Sequence, residues 1–282
     1  MRALLDVPAP AKLNLFLHVV GRRADGLHLL QSVFMLIDWC DTLHFELHHD
    51  GSVSREDFGA PLPPDDLIVR AAHALQQATG CAQGVHVATE KRIPTQAGMG
   101  GGSSDAATTL LALNRLWGLN RSRQELAAIG AALGADVPFF LYGSHAWVEG
   151  TGVPTEPVEL PPARFIVVKP PAGLDTGRVF RGTDALAGAA PATISGFRTA
   201  PYEFGRNDLQ PIAGQFCPQI DAALDWLSQQ GLSGRMTGSG SAVFARLTQD
   251  ADARIPDTLP ADWSARLCSN LAAHPLRGWA RE

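Results

Sequence analysis

Between Pro94 and Ala107 the chain reads PTQAGMGGGSSDAA, with four glycines in the five positions from Gly98 to Gly102. Glycine lets the main chain approach a ligand closely and take up positive φ at little steric cost. Successive bare N–H groups can form a concave nest for an anion. Ser103-Ser104-Asp105 then reads as a helix start, and AATTLLALNRLW, Ala106 to Trp117, as the helix. The first-turn N–H groups of such a helix lack internal partners and carry the positive end of its dipole. A glycine loop feeding a helix N-terminus predicts a phosphate site. The alternative, a flexible Gly-Ser linker, fits less well, because linkers seldom run straight into a strong helix.

Two familiar phosphate loops do not fit. A Walker A loop needs Gly-Lys-Ser/Thr, and no Gly-Lys pair occurs in the chain. A dinucleotide fingerprint needs a third glycine where Ser103 stands, and it opens a βαβ unit near its start. The strained G-x-S-x-G elbow of a hydrolase is absent too; GSGS from Gly238 has its glycines in the wrong register.

A chain of 282 residues with 45% hydrophobic content can build one large core or two moderate ones. A net charge of −5 without a basic cluster gives no support for nucleic-acid binding. Lysine is scarce: Lys12, Lys91 and Lys169 are the whole set. Cys40, Cys81, Cys217 and Cys268 are far apart and form no C-x-x-C, so reduced thiols in a cytoplasmic protein are expected. The opening MRALLDVPAPAK has no apolar run of a leader, and no segment has the length of a membrane span.

Strand-like alternation runs over Lys12–Val20, with Leu13, Leu15, Leu17 and Val19 on one face and Lys12, Asn14, Phe16 and His18 on the other. After a turn at RRADG come apolar Val33–Ile37, a second alternating strand at Thr42–His48, and an amphipathic helix over Asp65–Gln77. Val85–Lys91 is a strand leading into the glycine loop. Ser122 and Glu125 form a capping box ahead of RQELAAIGAAL, and HAWVEG is strand-like. The proline-rich 154–162 segment marks a domain boundary, giving units 1–155 and 156–282. Beyond it lie a strand at Arg164–Lys169, a loop over Ala187–Pro201, a helix at Ile220–Gln230, and a Gly-Ser-Gly turn with a strand within Arg235–Leu247. Hairpin-connected neighbours favour an α+β fold over a doubly wound sheet.

Three places besides the glycine loop could carry chemistry. Lys12 opens an apolar strand, either as a snorkelling lysine or as a functional one. Asp136, in LGADVPFF, is either a helix N-cap or a catalytic carboxylate. MTGSGSAVFA, Met236 to Ala245, is a second small-residue turn against a strand. His44 and His48 share a strand face with Glu46, which an exposed polar face explains more simply than a metal.

PAPAKLNLFL, the glycine-serine loop, LGADVPFF and TGSGSAVFA together resemble, in order and spacing, the characteristic segments of the GHMP kinases. The resemblance runs from Pro8 to about Leu247. Through Ala9–Phe34 it is closest to the branch acting on a cytidine diphosphate-linked methylerythritol. It implies a two-domain fold, ribosomal-S5-domain-2-like then ferredoxin-like. It also implies transfer of the γ-phosphate of ATP, with Mg²⁺, to the 2-hydroxyl of that small-molecule substrate, on the non-mevalonate route to isoprenoid precursors. Neither nucleic acid nor membrane is an expected partner, and a monomer or weak homodimer is expected. Lys12 and Asp136 match the catalytic pair. Pro94, Ala97, Gly98, Met99, Gly100, Gly101, Gly102, Ser103, Ser104 and Asp66 match ATP-binding positions, with Ser103 or Ser104 reaching Mg²⁺ or a phosphate. Asn14, His28, Phe34, Thr176 and Phe180 match substrate-binding positions; His28 reads the base, and Phe34 and Phe180 are aromatic walls.

The sequence departs from the family pattern at three positions. Leu27 stands where a tyrosine usually stacks on cytosine, Asp66 where an asparagine is usual, and Met99 where leucine is usual. The rival readings are a GHMP kinase for a sugar, homoserine or mevalonate, and a nucleotide-binding regulator without catalysis. An acyl-transfer hydrolase is a more distant third.

Overall fold

The computed structural model describes residues 2–59, 61–185, 191–247 and 254–282. Its spine is a long antiparallel hairpin, β1 (Ala3–Arg22) on β2 (His28–His48). Beside it, β3 (Val53–Phe58) runs parallel to β4 (Gly84–Glu90), joined by the crossover helix α1 (Leu67–Thr79). β5 (Ala146–Gly150) and β6 (Val153–Pro157) complete a six-stranded sheet in the order β3-β4-β2-β5-β6, with β1 on β2.

Helices α2 (Gly101–Leu116), α3 (Arg123–Ala131) and α4 (Val137–Tyr142) follow the glycine loop. Ile68, Ala71 and Leu75 of α1 and Leu110 and Leu113 of α2 share one core with Phe45, Val85 and Val87 of the sheet. The helical period of those apolar positions holds the helices on that face.

A second sheet is wholly antiparallel, in the order β10-β7-β9-β8, from β7 (Arg164–Lys169), β8 (Gly234–Met236), β9 (Val243–Arg246) and β10 (Ser264–Ser269). Alternation along β7 separates its faces. Phe165 and Val167 pack against Leu13, Leu15, Met35 and Ile37 of the hairpin. Ile166 and Val168 pack with Leu209, Ile212, Ile220 and Leu227, from the segment of α7 (Gln210–Phe216) and α8 (Gln219–Gln229). Short helices α5 (Thr176–Arg181) and α6 (Ile194–Thr199) precede them. Mixed helices and mostly antiparallel strands make this the expected α+β fold.

Several elements differ from the sequence pattern. β1 is buried on both faces from Pro10 to Val19: the second sheet covers Leu13 and Leu15, and Lys12, on the side expected to be polar, lies against the glycine loop. Its alternation breaks at a bulge: Asn14 pairs with Phe34, but Leu17 pairs with Ser32, one residue out of step. The runs expected as separate strands around 33–37 and 42–48 are one strand. β6 lies in the proline-rich segment, at the sheet edge where proline costs no ladder bond, so the crossing between sheets falls in 158–163. Helix α6 occupies part of the segment expected to be a loop; residues 187–190 of that segment lie outside the described ones.

Candidate active site

An open groove of about 770 Å³ lies between the two units, lined from β1, the glycine loop, the 135–136 and 151–152 loops, α5 and the 238–239 turn. Its size suits a ligand-sized site. The glycine loop forms one wall. Gly98 and Gly100 have φ of +73° and +70°, the left-handed region that favours glycine. A Cβ at Gly98 would stand 2.2 Å from the Thr237 carbonyl oxygen, and one at Gly100 would stand 3.0 Å from the Phe140 ring. Helix α2 begins inside the glycine run, with Gly100 at its N-cap, two residues before the expected start. Its first-turn N–H groups therefore come from glycines and Ser103, with no side chain from Gly101 or Gly102 between them and the groove.

The second small-residue turn braces this loop from behind. The N–H groups of Ser241 and Ala242 donate to the carbonyls of Gln96 and Ala97, both at 3.2 Å. Asn207 Nδ2 donates to the carbonyls of Met236 and Gly238 at 2.8 Å each, fixing the turn. From the other side the Lys12 N–H donates to the Met99 carbonyl at 3.0 Å.

Lys12 and Asp136 meet in the groove, Nζ to Oδ2 at 3.6 Å. Asp136 is the N-cap of α4 by position, yet its side chain makes no capping hydrogen bond, so the carboxylate is directed to the groove rather than to the helix. Burial lowers the Lys12 ammonium from its ordinary value, with Asp136 opposing that shift. Lys12 also sits 4.5 Å over the Phe34 ring and donates to Asn14 Oδ1 at 2.6 Å.

The remaining candidates divide along the groove. His28 stacks on Phe180 with ring centroids 5.6 Å apart, and Thr183 Oγ1 lies 2.8 Å from its Nε2. Thr176 lines the same stretch, its hydroxyl 2.7 Å from that of Ser239. Leu27 lies beside them, half exposed. Phe34 is not the second wall of that end: it stands six residues along β2 from His28, roughly 20 Å of extended strand, beneath Lys12 and edge-on to Phe139. Pro94, Ala97, Met99 and Ser103 line the groove with the glycines, whereas Ser104 is fully buried in α2. Asp66 does not line it. Its carboxylate caps α1 by accepting from the Val69 N–H and pairs with Arg55, which holds it away from the groove.

The sequence pattern did not single out Arg22, Lys91 and Arg181, which also line the groove. Scarcity of lysine was the available signal for Lys91. Its ammonium lies between Asp41 and Asp105, 2.5 Å from the latter, and Asp41 Oδ1 accepts from the Arg92 and Ile93 N–H groups just ahead of the glycine loop. Burial pushes the Asp105 carboxyl up to about 8, with Lys91 opposing and Asp41 adding to the shift. One lysine thus faces two buried carboxylates, and the Asp105 carboxyl holds its proton more tightly than an ordinary aspartate. Among the described residues no cluster of three or more His, Cys, Asp or Glu side chains could hold a metal ion. No helix there is long and apolar enough to cross a membrane.

A glycine loop at a helix start, beside a Lys–Asp pair in an open groove, has the form of a phosphotransferase site. The family model for the GHMP kinases N terminal domain matches residues 66–144, and that for GHMP kinases C terminal matches residues 189–265. A 4-diphosphocytidyl-2-C-methyl-D-erythritol kinase of Paracidovorax citrulli is 62% identical over 286 residues, covering 100% of this chain and 99% of that protein. A crystal structure of 4-(cytidine 5'-diphospho)-2C-methyl-D-erythritol kinase is 33% identical with a TM-score of 0.80, covering 93% of this chain and 98% of the other. Homoserine kinase from Cytophaga hutchinsonii, at 15% identity and a TM-score of 0.68 over 97% and 96% of the two chains, shares the fold. The chain belongs to the GHMP kinases and, within them, to the 4-diphosphocytidyl-2-C-methyl-D-erythritol kinase family.

Proposed function

We propose that the groove transfers the γ-phosphoryl group of ATP to the 2-hydroxyl of 4-diphosphocytidyl-2-C-methyl-D-erythritol, giving the 2-phosphate and ADP. ATP is the co-substrate of this family. The carrying observation is the Lys12–Asp136 pair beside the glycine loop, with Asp136 free of any capping bond. In this reading the nucleotide phosphates lie along Gly98–Ser103, against the α2 N-terminus. The 2-hydroxyl oxygen forms its bond to phosphorus as the bond to the β-phosphate oxygen breaks. Asp136 takes the hydroxyl proton, and Lys12 offsets charge on the reacting oxygens.

Mg²⁺ would supply charge neutralisation on the transferring phosphate. A Mg²⁺ ion keeps several waters and needs few protein ligands, which fits a site without a carboxylate cage. We assign the hydroxyl of Ser103, a residue that lines the groove, to that ion or to a phosphate oxygen. At the far end His28, Phe180 and Thr176 would receive the cytidine. Phe34 would act as an apolar floor beneath Lys12. Two functional units, 1–155 and 156–282, then carry one site between them, supported by the lining residues each provides.

ADP release with Mg·ATP tests this reading, with the cytidylyl substrate beside homoserine, mevalonate and galactose, in wild type and Asp136→Asn. Turnover of the cytidylyl substrate alone, reduced at least about a hundredfold in the variant, is expected. Turnover of another acceptor would overturn the specificity, and undiminished turnover by the variant would overturn the base.

A further inference from the structure

Ser32 is fully buried on β2 and does not line the groove. We propose that Ser32 is a positioning residue for catalysis, setting the direction of a hydrogen-bond chain that presents the Lys12 ammonium to Asp136. The inference rests on the catalytic pair proposed above.

The chain starts at the β1 bulge. Where the register slips between Asn14 and Leu17, the carbonyls of Leu15 and Phe16 are taken by side chains: Arg235 donates to Leu15, and the Ser32 hydroxyl donates to Phe16 at 2.5 Å. A carbonyl can only accept, so the one Ser32 proton is committed to Phe16. Its oxygen then has only lone pairs to offer Asn14. Asn14 Nδ2 donates to it at 2.9 Å, which turns Asn14 Oδ1 toward Lys12, whose Nζ donates at 2.6 Å. The opposite amide orientation would set an NH₂ against an ammonium. The Thr237 hydroxyl accepts from the Asn14 backbone N–H at 2.9 Å and holds that residue from the second unit.

This polarity matters because Lys12 is buried. Desolvation disfavours its charged form, and each acceptor facing it restores that form. Asp136 is the charged group that acts on it; Asn14 from β1 is the neutral acceptor. Phe34 from β2 and the glycine loop, at Met99 and Gly100, bring no ionisable group. Arg22, Lys91 and Arg181 lie elsewhere in the groove wall. Without the Ser32 oxygen the Asn14 NH₂ loses its buried acceptor, the amide is held at Oδ1 alone by Lys12 and by the Thr237 hydroxyl at 3.5 Å, and the shorter of the two Lys12 partners is loosened.

The test is the pH profile of kcat for Ser32→Ala, Ser32→Thr and Ser32→Cys, beside Asp136→Asn, with the melting temperature of each. Ser32→Ala is expected to lower kcat about tenfold, with KM for ATP within about twofold, as one buried acceptor is lost. Its alkaline limb is expected to move about one unit toward lower pH, because Lys12 releases its proton more readily. Ser32→Thr, which keeps the hydroxyl on a strand position suited to it, should restore both. Should Ala lower the melting temperature, Ser32→Cys, with similar volume and a weaker acceptor, is read in the same way. An unmoved alkaline limb in the Ala or Cys variant, or no recovery with Thr, would overturn the proposal. If Asp136→Asn keeps wild-type turnover, the catalytic pair itself falls. If that variant is inactive while Ser32→Ala behaves as wild type, only the positioning role falls.

Discussion

Replacing Gly98 by alanine separates backbone strain from the brace behind the phosphate loop. At φ +73° a Cβ costs about 1 kcal/mol in any surroundings. Gly118, at φ +66° with nothing within 4 Å of a Cβ, supplies the control for strain alone. At Gly98 the same Cβ stands 2.2 Å from the Thr237 carbonyl oxygen and 3.0 Å from Gly240 N. The loop must therefore move off the 236–242 turn by about 1 Å to reach ordinary contact. Such a shift weakens the two bonds from Ser241 and Ala242 to Gln96 and Ala97, each worth about 1 kcal/mol. Gly98→Ala should thus destabilise by about 3 kcal/mol against about 1 kcal/mol for Gly118→Ala, read by urea unfolding. Because the displaced segment carries the N–H groups proposed to meet the ATP phosphates, KM for ATP should rise at least about tenfold in Gly98→Ala only. Equal losses of stability in the two variants, with KM for ATP unchanged, would refute the brace.

Two further outcomes are expected. His145 and His274 are buried with Nδ1 accepting the Leu36 and Leu276 N–H groups, each at 3.1 Å, and burial lowers each to about 4 from 6.5. Between pH 6.5 and 4 the unfolded chain then binds more protons than the folded one, so stability is full above 6.5 and falls as pH drops toward 4. His145→Asn, which keeps an acceptor for Leu36, should lose about 3 kcal/mol less than wild type on going from pH 7 to pH 4 in urea unfolding; parallel curves would count against it. Leu27→Tyr adds a ring beside His28 and Phe180, and should lower KM for the cytidylyl substrate about fivefold while leaving KM for ATP alone. An unchanged KM would show that Leu27 does not face the base.

Features set by short-range chemistry were readable before any coordinates. The Ser122–Glu125 capping box is present, β7 has the expected bounds, and the glycine loop does open a helix. Helix α7 has only seven residues, and α5 and α6 six each, too few turns for an apolar period to stand out, and all three went unread. β10 gains its place from pairing with β7, about a hundred residues earlier, which no local pattern carries. Asp136 shows the limit at the site. A carboxylate just before a helix can cap it or face a groove with the same local sequence, and only the structure shows that this one makes no cap bond.

The groove's basic residues and the Ser32 chain lie further out of reach, for different reasons. Arg22, Lys91 and Arg181 come from the end of β1, the residue after β4 and the end of α5, so the groove they line exists only once the two units meet. Ser32 depends on a one-residue slip between β1 and β2. A regular ladder would give Asn14 and Phe16 the same face, as the alternation of Lys12–Val20 suggests, and would pair the Phe16 carbonyl within the sheet. The bulge breaks that symmetry, freeing the carbonyl on which the polarity of Ser32, Asn14 and Lys12 depends. The apolar-polar pattern of β1 is the same with or without the slip, because both faces are buried, one under the second sheet and the other against the glycine loop and Phe34. Placement of Lys12 is therefore a property of register, which arises only when the whole hairpin is packed.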